Sequence, residues 1–167
     1  MNWEKKNLTE KQKKLFDTSV FLGKMLLLGI PFQLFLILQP DTGFFQELHA
    51  GLITDILTVL GYQASNQGID IVMKNTIYRI TQDCLGWKSM AAFTGLTLAT
   101  ETKIKSLQVV AIGIFVLFLT NIVRILSTIL LSDAGIISYS IIHGTLWKWG
   151  LTGIVLILWI AWLQKTT

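Results

Sequence analysis

Ser106–Leu131 reads SLQVVAIGIFVLFLTNIVRILSTILL, 26 residues in which Arg124 is the single ionisable group. At a helical rise of 1.5 Å per residue this run covers about 39 Å, more than the roughly 30 Å of a bilayer's hydrocarbon core. The fold class turns on it: a stretch this long and this apolar reads as a membrane span. The rest of the composition agrees. With 52% hydrophobic and 14% charged residues in 167, the chain is too apolar for an ordinary soluble domain and too short for two domains of usual size.

Two further stretches have the same character, residues 19–38 and 145–163, and a weaker one, diluted by Lys88 and threonines, occupies 85–100. The expectation is an all-α membrane protein, a single unit of four transmembrane helices at 19–38, 85–100, 106–131 and 145–163. Orientation follows from the lysines, which favour cytoplasmic loops. Residues 1–18 carry Lys5, Lys6, Lys11, Lys13 and Lys14, and with four crossings Lys103, Lys105 and Lys165 fall on the same side. Both termini are therefore expected in the cytoplasm, and the lysine-free loop from Ser132 to Gly144 outside. The first span is long, contains Lys24 and Pro31 and lacks a small-residue cleavage site, so it is expected to remain as an anchor. The net charge of +4 is accounted for by lysines that suit anionic lipid head groups, not a nucleic-acid groove.

Residues 39–83 form a long outer insertion, and long connections tend to carry function or structure of their own. Phe44, Phe45, Leu48, Leu52, Ile56 and Leu60 recur at helical spacing, which predicts an amphipathic helix lying on the outer leaflet or against the spans. After a polar turn, Ile69, Ile71 and Met73 alternate with their neighbours, and Ile77 and Ile80 follow Lys74-Asn75. That pattern predicts a short β-hairpin.

The chemistry centres on three residues. Arg124, buried about 10 Å below the outer end of its span, needs a wet or protein-lined site to offset a cost of ~3 kcal/mol or more, and Asn121 one turn earlier is its nearest candidate partner. Cys84 is the sole cysteine, so it forms no intramolecular disulfide, and it lies where polar sequence runs into apolar. His143 lies at the outer mouth of the last span; His49, on the cap helix, reads as a solvated polar residue. A free thiol ionises only slightly at neutral pH unless a cation or base is close, and the four-span topology brings Arg124 and His143 to the side of Cys84. Asp83 is expected to pair with Arg79 or Lys88, and Gly86 to permit close packing beside the thiol. One cysteine and two histidines offer no metal-ligand spacing, and no dinucleotide or Walker loop is present, so no cofactor is expected.

Cys84-Leu85-Gly86, then Asn121-Ile122-Val123-Arg124, then His143, in that order on successive helices, resemble the exosortase and archaeosortase family of membrane cysteine transpeptidases. The resemblance covers roughly Gly61 to Leu163. It implies Cys84 as nucleophile, Arg124 as its electrostatic partner and His143 as the third catalytic residue. It also implies a substrate class, exported proteins ending in a short motif, a transmembrane helix and a basic tail. These are cut through a thioester at the outer face of the cell membrane and passed to a cell-envelope amine. In place of the family's usual Cys-Ser/Thr-Gly this chain has Leu85, without a hydroxyl. The competing reading is a non-enzymatic membrane protein, a transporter subunit or assembly factor, in which Arg124 binds an anion or a partner helix.

Overall fold

A computed structural model describes residues 9–74, 76–100, 104–136 and 147–166. Its order is α1 (Glu10–Leu38), α2 (Gly43–Val59), β1 (Ala64–Gln67), β2 (Asp70–Met73), β3 (Thr76–Arg79), a 3-10 turn (Gln82–Leu85), α3 (Trp87–Thr100), α4 (Ile104–Asp133) and α5 (Trp147–Thr166).

The first helix begins well before the apolar run at residue 19. Thr9 and Gln12 form a reciprocal capping box, the Thr9 hydroxyl accepting from the Gln12 N–H and the Gln12 side chain from the Thr9 N–H. Residues 10–18, expected as tail, are therefore helical. The helix stops at Gln39, whose left-handed φ of 42° precedes Pro40, a residue that has no N–H to continue the ladder.

Length separates the helices. Glu10–Leu38 and Ser106–Asp133 are each long and apolar enough to cross a membrane. The apolar part of α5, Trp149–Gln164, is shorter. The 14 residues of α3 cover about 21 Å, less than a hydrocarbon core. α3 starts at Trp87, two residues after the expected 85, because Gly86 adopts φ 72° and breaks the helical path there. α3 packs between α1, α4 and α5 around Phe93, Leu117 and Val155. The α3–α4 approach is close enough that a Cβ on Gly113 would fall 1.9 Å from Cε1 of Phe93.

The insertion is a cap with its own core. The strands form an antiparallel sheet ordered β1-β2-β3, with Gln67 opposite Asp70 and Met73 opposite Thr76. The expected hairpin is thus β2–β3, and a third strand, β1, pairs along its other edge. The sheet, α2 and the C-terminal half of α4 bury Ile53, Leu57, Ile71, Met73, Tyr78, Ile80, Ile122, Ile125 and Ile129 together.

The expected amphipathic helix is α2, and most of its expected stripe is turned away from the protein core. Ala50, Ile53, Thr54 and Leu57 are buried, whereas Phe44, Phe45, Leu48, Leu52 and Leu60 are exposed. An outward apolar stripe of this kind suits a helix lying against a lipid leaflet, one of its two expected placements.

Two ion pairs fasten the cap. Lys74, at the hairpin turn, meets Asp133 at the end of α4 at 2.6 Å, and hydrogen bonding to that carboxylate raises the ammonium above its ordinary range. Asp70 and Arg79, directly opposite each other across β2 and β3, form a two-pronged fork at 2.8 and 2.9 Å. The hydrogen bond from Arg79 holds the Asp70 carboxyl below its usual range. A depressed folded value means that the fork's contribution is complete above the unfolded carboxyl's value of about 4 and fades as the pH falls through the folded one. Asp70→Asn is accordingly expected to abolish the acid-side loosening of β2 and β3. Amide exchange read at several pH values should show a change of no more than a few-fold, because both groups are exposed.

Candidate active site

Cys84 lies in the 3-10 turn between the sheet and α3, 5% exposed, beneath α2 and against α4. Three contacts fix it. Its N–H donates to the Thr81 carbonyl at 2.9 Å, its carbonyl accepts from Asn121 Nδ2 at 2.7 Å, and its sulfur lies 3.4 Å from Thr81 Oγ1.

Asn121 is fully buried and joins the cysteine to the arginine. Its Oδ1 accepts from Arg124 Nη1 at 3.2 Å while its Nδ2 donates to the Cys84 carbonyl. The two partners dictate the amide's orientation, since a guanidinium only donates and a carbonyl only accepts. Gly86 makes this approach possible. A Cβ on that residue would lie 2.8 Å from Asn121 Cγ, inside contact distance.

Arg124 is 7% exposed, and the reason it is tolerated is now visible: protein covers it. It sits where the cap sheet overlies α4, and its backbone carbonyl accepts hydroxyls from Ser127 and Thr128. With Cys84, Tyr78, Arg79, Ile80 and Thr128 it lines a cavity of about 20 Å³, room for roughly one water. Cys84 and Arg124 thus line one small, partly open space. A larger groove of about 550 Å³ runs between α1 and α3, past Leu28, Phe32, Trp87 and Ala91, but no ionisable side chain lines it. The larger space is apolar, and the thiol-bearing and ionisable residues line the smaller one.

Of the expected site residues, Cys84, Gly86, Asn121 and Arg124 come together. His143 lies outside the described residues. Asp83 turns away from the thiol and pairs with Lys88 at 2.7 Å, which leaves Arg79 to Asp70. His49 is half-buried instead of solvated, its ring edge-on to Phe118 and its Nδ1 3.0 Å from the Phe45 carbonyl. Thr81 was not anticipated. Its signal in the sequence is a hydroxyl three residues before the cysteine, a spacing that matters only once those residues form a 3-10 turn. Among the described residues no three histidine, cysteine or acidic side chains converge as metal ligands.

The geometry can hold a sulfur nucleophile beside a fixed positive charge, out of bulk water. Comparison with protein families finds one described as transmembrane exosortase, whose model matches residues 11–164. No curated protein and no solved structure matches the chain.

Proposed function

Because the chain belongs to the transmembrane exosortase family, we propose that it is a membrane cysteine transpeptidase with Cys84 as nucleophile. The observation that carries the reading is the cavity shared by Cys84 and Arg124, two groups 40 positions apart that Asn121 ties together. A thiolate is the reactive form of cysteine, and a fixed cation lining the same cavity can stabilise negative charge that develops there in the reaction.

In the proposed cycle the Cys84 sulfur attacks the carbonyl carbon of the scissile peptide, and the carbonyl oxygen takes up negative charge facing Arg124. The carbon–nitrogen bond then breaks, the amine leaves with a proton supplied by His143, and a thioester remains on Cys84. An acceptor amine attacks the thioester carbonyl and gives its proton back to the imidazole. The new amide leaves and the sulfur is regenerated. Asn121 contacts no reacting atom; it positions the cysteine backbone and the guanidinium relative to each other.

The substrates in this reading are exported proteins ending in a short motif, an apolar helix and a basic tail, and the acceptor is an amine of a lipid or other envelope component. The lysine distribution supports four crossings with both termini inside and the site on the outer face of the cell membrane. The length of α1 and α4 supports two of those crossings directly.

The test is to trap the intermediate. A co-expressed exported protein with such a carboxy-terminal signal is expected to be captured on Cys84 as an adduct that hydroxylamine releases, read by mass spectrometry of the cysteine peptide. An adduct stable to hydroxylamine, or no adduct while cleavage proceeds, rules out the thioester.

A further inference from the structure

Thr81 occupies the position before the first residue of the 3-10 turn, where a threonine hydroxyl ordinarily accepts a backbone N–H of the following turn. Here it makes no such cap. Its backbone carbonyl takes the Cys84 N–H instead, and the hydroxyl is left directed at the Cys84 sulfur, 3.4 Å away. With a neutral thiol either group can donate. With a thiolate only the hydroxyl can, because the sulfur then has no proton to give. Leu85, the next residue in the chain, is buried and offers no polar side-chain atom.

Resting on the reading of Cys84 as nucleophile, we propose that Thr81 is a further catalytic residue. Its hydroxyl fixes the sulfur's rotamer and donates a hydrogen bond to the thiolate. A hydroxyl bonds more strongly to a charged sulfur than to a neutral one, so this contact steadies the thiolate and complements the longer-range charge of Arg124. The two groups come from different elements, Thr81 from the strand-to-turn junction, in contact with the sulfur, and Arg124 from α4, lining the same cavity. Asp83, the acidic neighbour in the chain, is held off by Lys88.

Cys84 is the sole cysteine, so its reactivity can be read without any substrate. Full-length protein in detergent is treated with iodoacetamide at neutral pH, and alkylation is followed by mass spectrometry. Thr81→Val removes the hydroxyl at nearly constant shape, and the extended backbone there, φ −88° and ψ 168°, suits a β-branched residue, so folding and access to the sulfur are expected to be kept. The expected result is alkylation roughly tenfold slower, or more, in Thr81→Val. Thr81→Ser, which keeps the hydroxyl, should stay near the wild-type rate, and all three proteins should melt alike. A wild-type rate in Thr81→Val overturns the proposal, as does equal slowing in Val and Ser variants, which would mark the threonine as a packing residue. Failure of the underlying reading is seen separately, as processing of an exported substrate by Cys84→Ala.

Discussion

Cells in which Cys84→Ala replaces the wild-type protein are expected to accumulate their exported substrate as the uncut precursor, with processing reduced on the order of 10³-fold or more. A nucleophile lost from a covalent mechanism costs at least this much, since what remains of the site only binds. Arg124→Ala should come close to it, for two reasons that are distinguishable. It removes the charge bordering the cavity, and it leaves the Asn121 carbonyl oxygen without the Nη1 donor it now has. Arg124→Lys restores charge but not the planar fork, so processing at roughly one tenth to one hundredth of wild type is expected. The readout is the ratio of precursor to product on an immunoblot, with membrane levels of the enzyme as control. Undiminished processing by Cys84→Ala would sink the enzymatic reading and favour a protein in which Arg124 binds an anion or a partner helix.

The double character of Arg124 also explains how far the sequence could be read. A lone arginine in a 26-residue apolar run is legible because its cost demands compensation. What compensates it is not legible there. Tyr78, Arg79 and Ile80, more than 40 residues earlier, line the same cavity, and only the folded cap shows that Ile122, Ile125 and Ile129 of α4 face protein.

The cap was readable in proportion to its periodicity. Ile69, Ile71 and Met73 alternate cleanly and gave the β2–β3 hairpin. β1 is Ala-Ser-Asn-Gln, an edge strand with only Ala64 half-buried, and without an apolar alternation it reads as a turn. α2 is apolar on two faces. Phe44, Phe45, Leu48, Leu52 and Leu60 form the stripe that the periodicity picks out, but periodicity does not say whether it meets lipid or protein. The face packed on the sheet and α4 is another one, that of Ala50, Ile53 and Leu57. In a membrane protein the larger apolar residues need not be the buried ones, since lipid accepts them at no cost.

The close approach at the site gives the second large effect. Gly86→Ala places a side chain at φ 72°, which costs about 1–2 kcal/mol for a residue with a Cβ, and drives that Cβ to 2.8 Å from Asn121 Cγ. Overpacking of this kind adds roughly 1–3 kcal/mol, so a loss of about 2–5 kcal/mol and a melting point lower by ~4–20 °C are expected. Processing should fall further than stability alone predicts, because Asn121 cannot yield without releasing the Cys84 carbonyl at 2.7 Å or the Arg124 guanidinium at 3.2 Å. Asn121→Ala by itself should cost about 1–3 kcal/mol through the unpaired carbonyl. Combining the two separates backbone strain from collision. Without the amide the contacts at Cγ and Nδ2 vanish, while the Asn121 Cβ, at 3.1 Å, and the positive φ stay. The double variant should therefore be less destabilised than the sum of the singles by about 1 kcal/mol or more, measured by thermal melting of the purified protein. Strict additivity would mean that Gly86 is required for its backbone conformation alone, and that the amide bridge between cysteine and arginine does not depend on it.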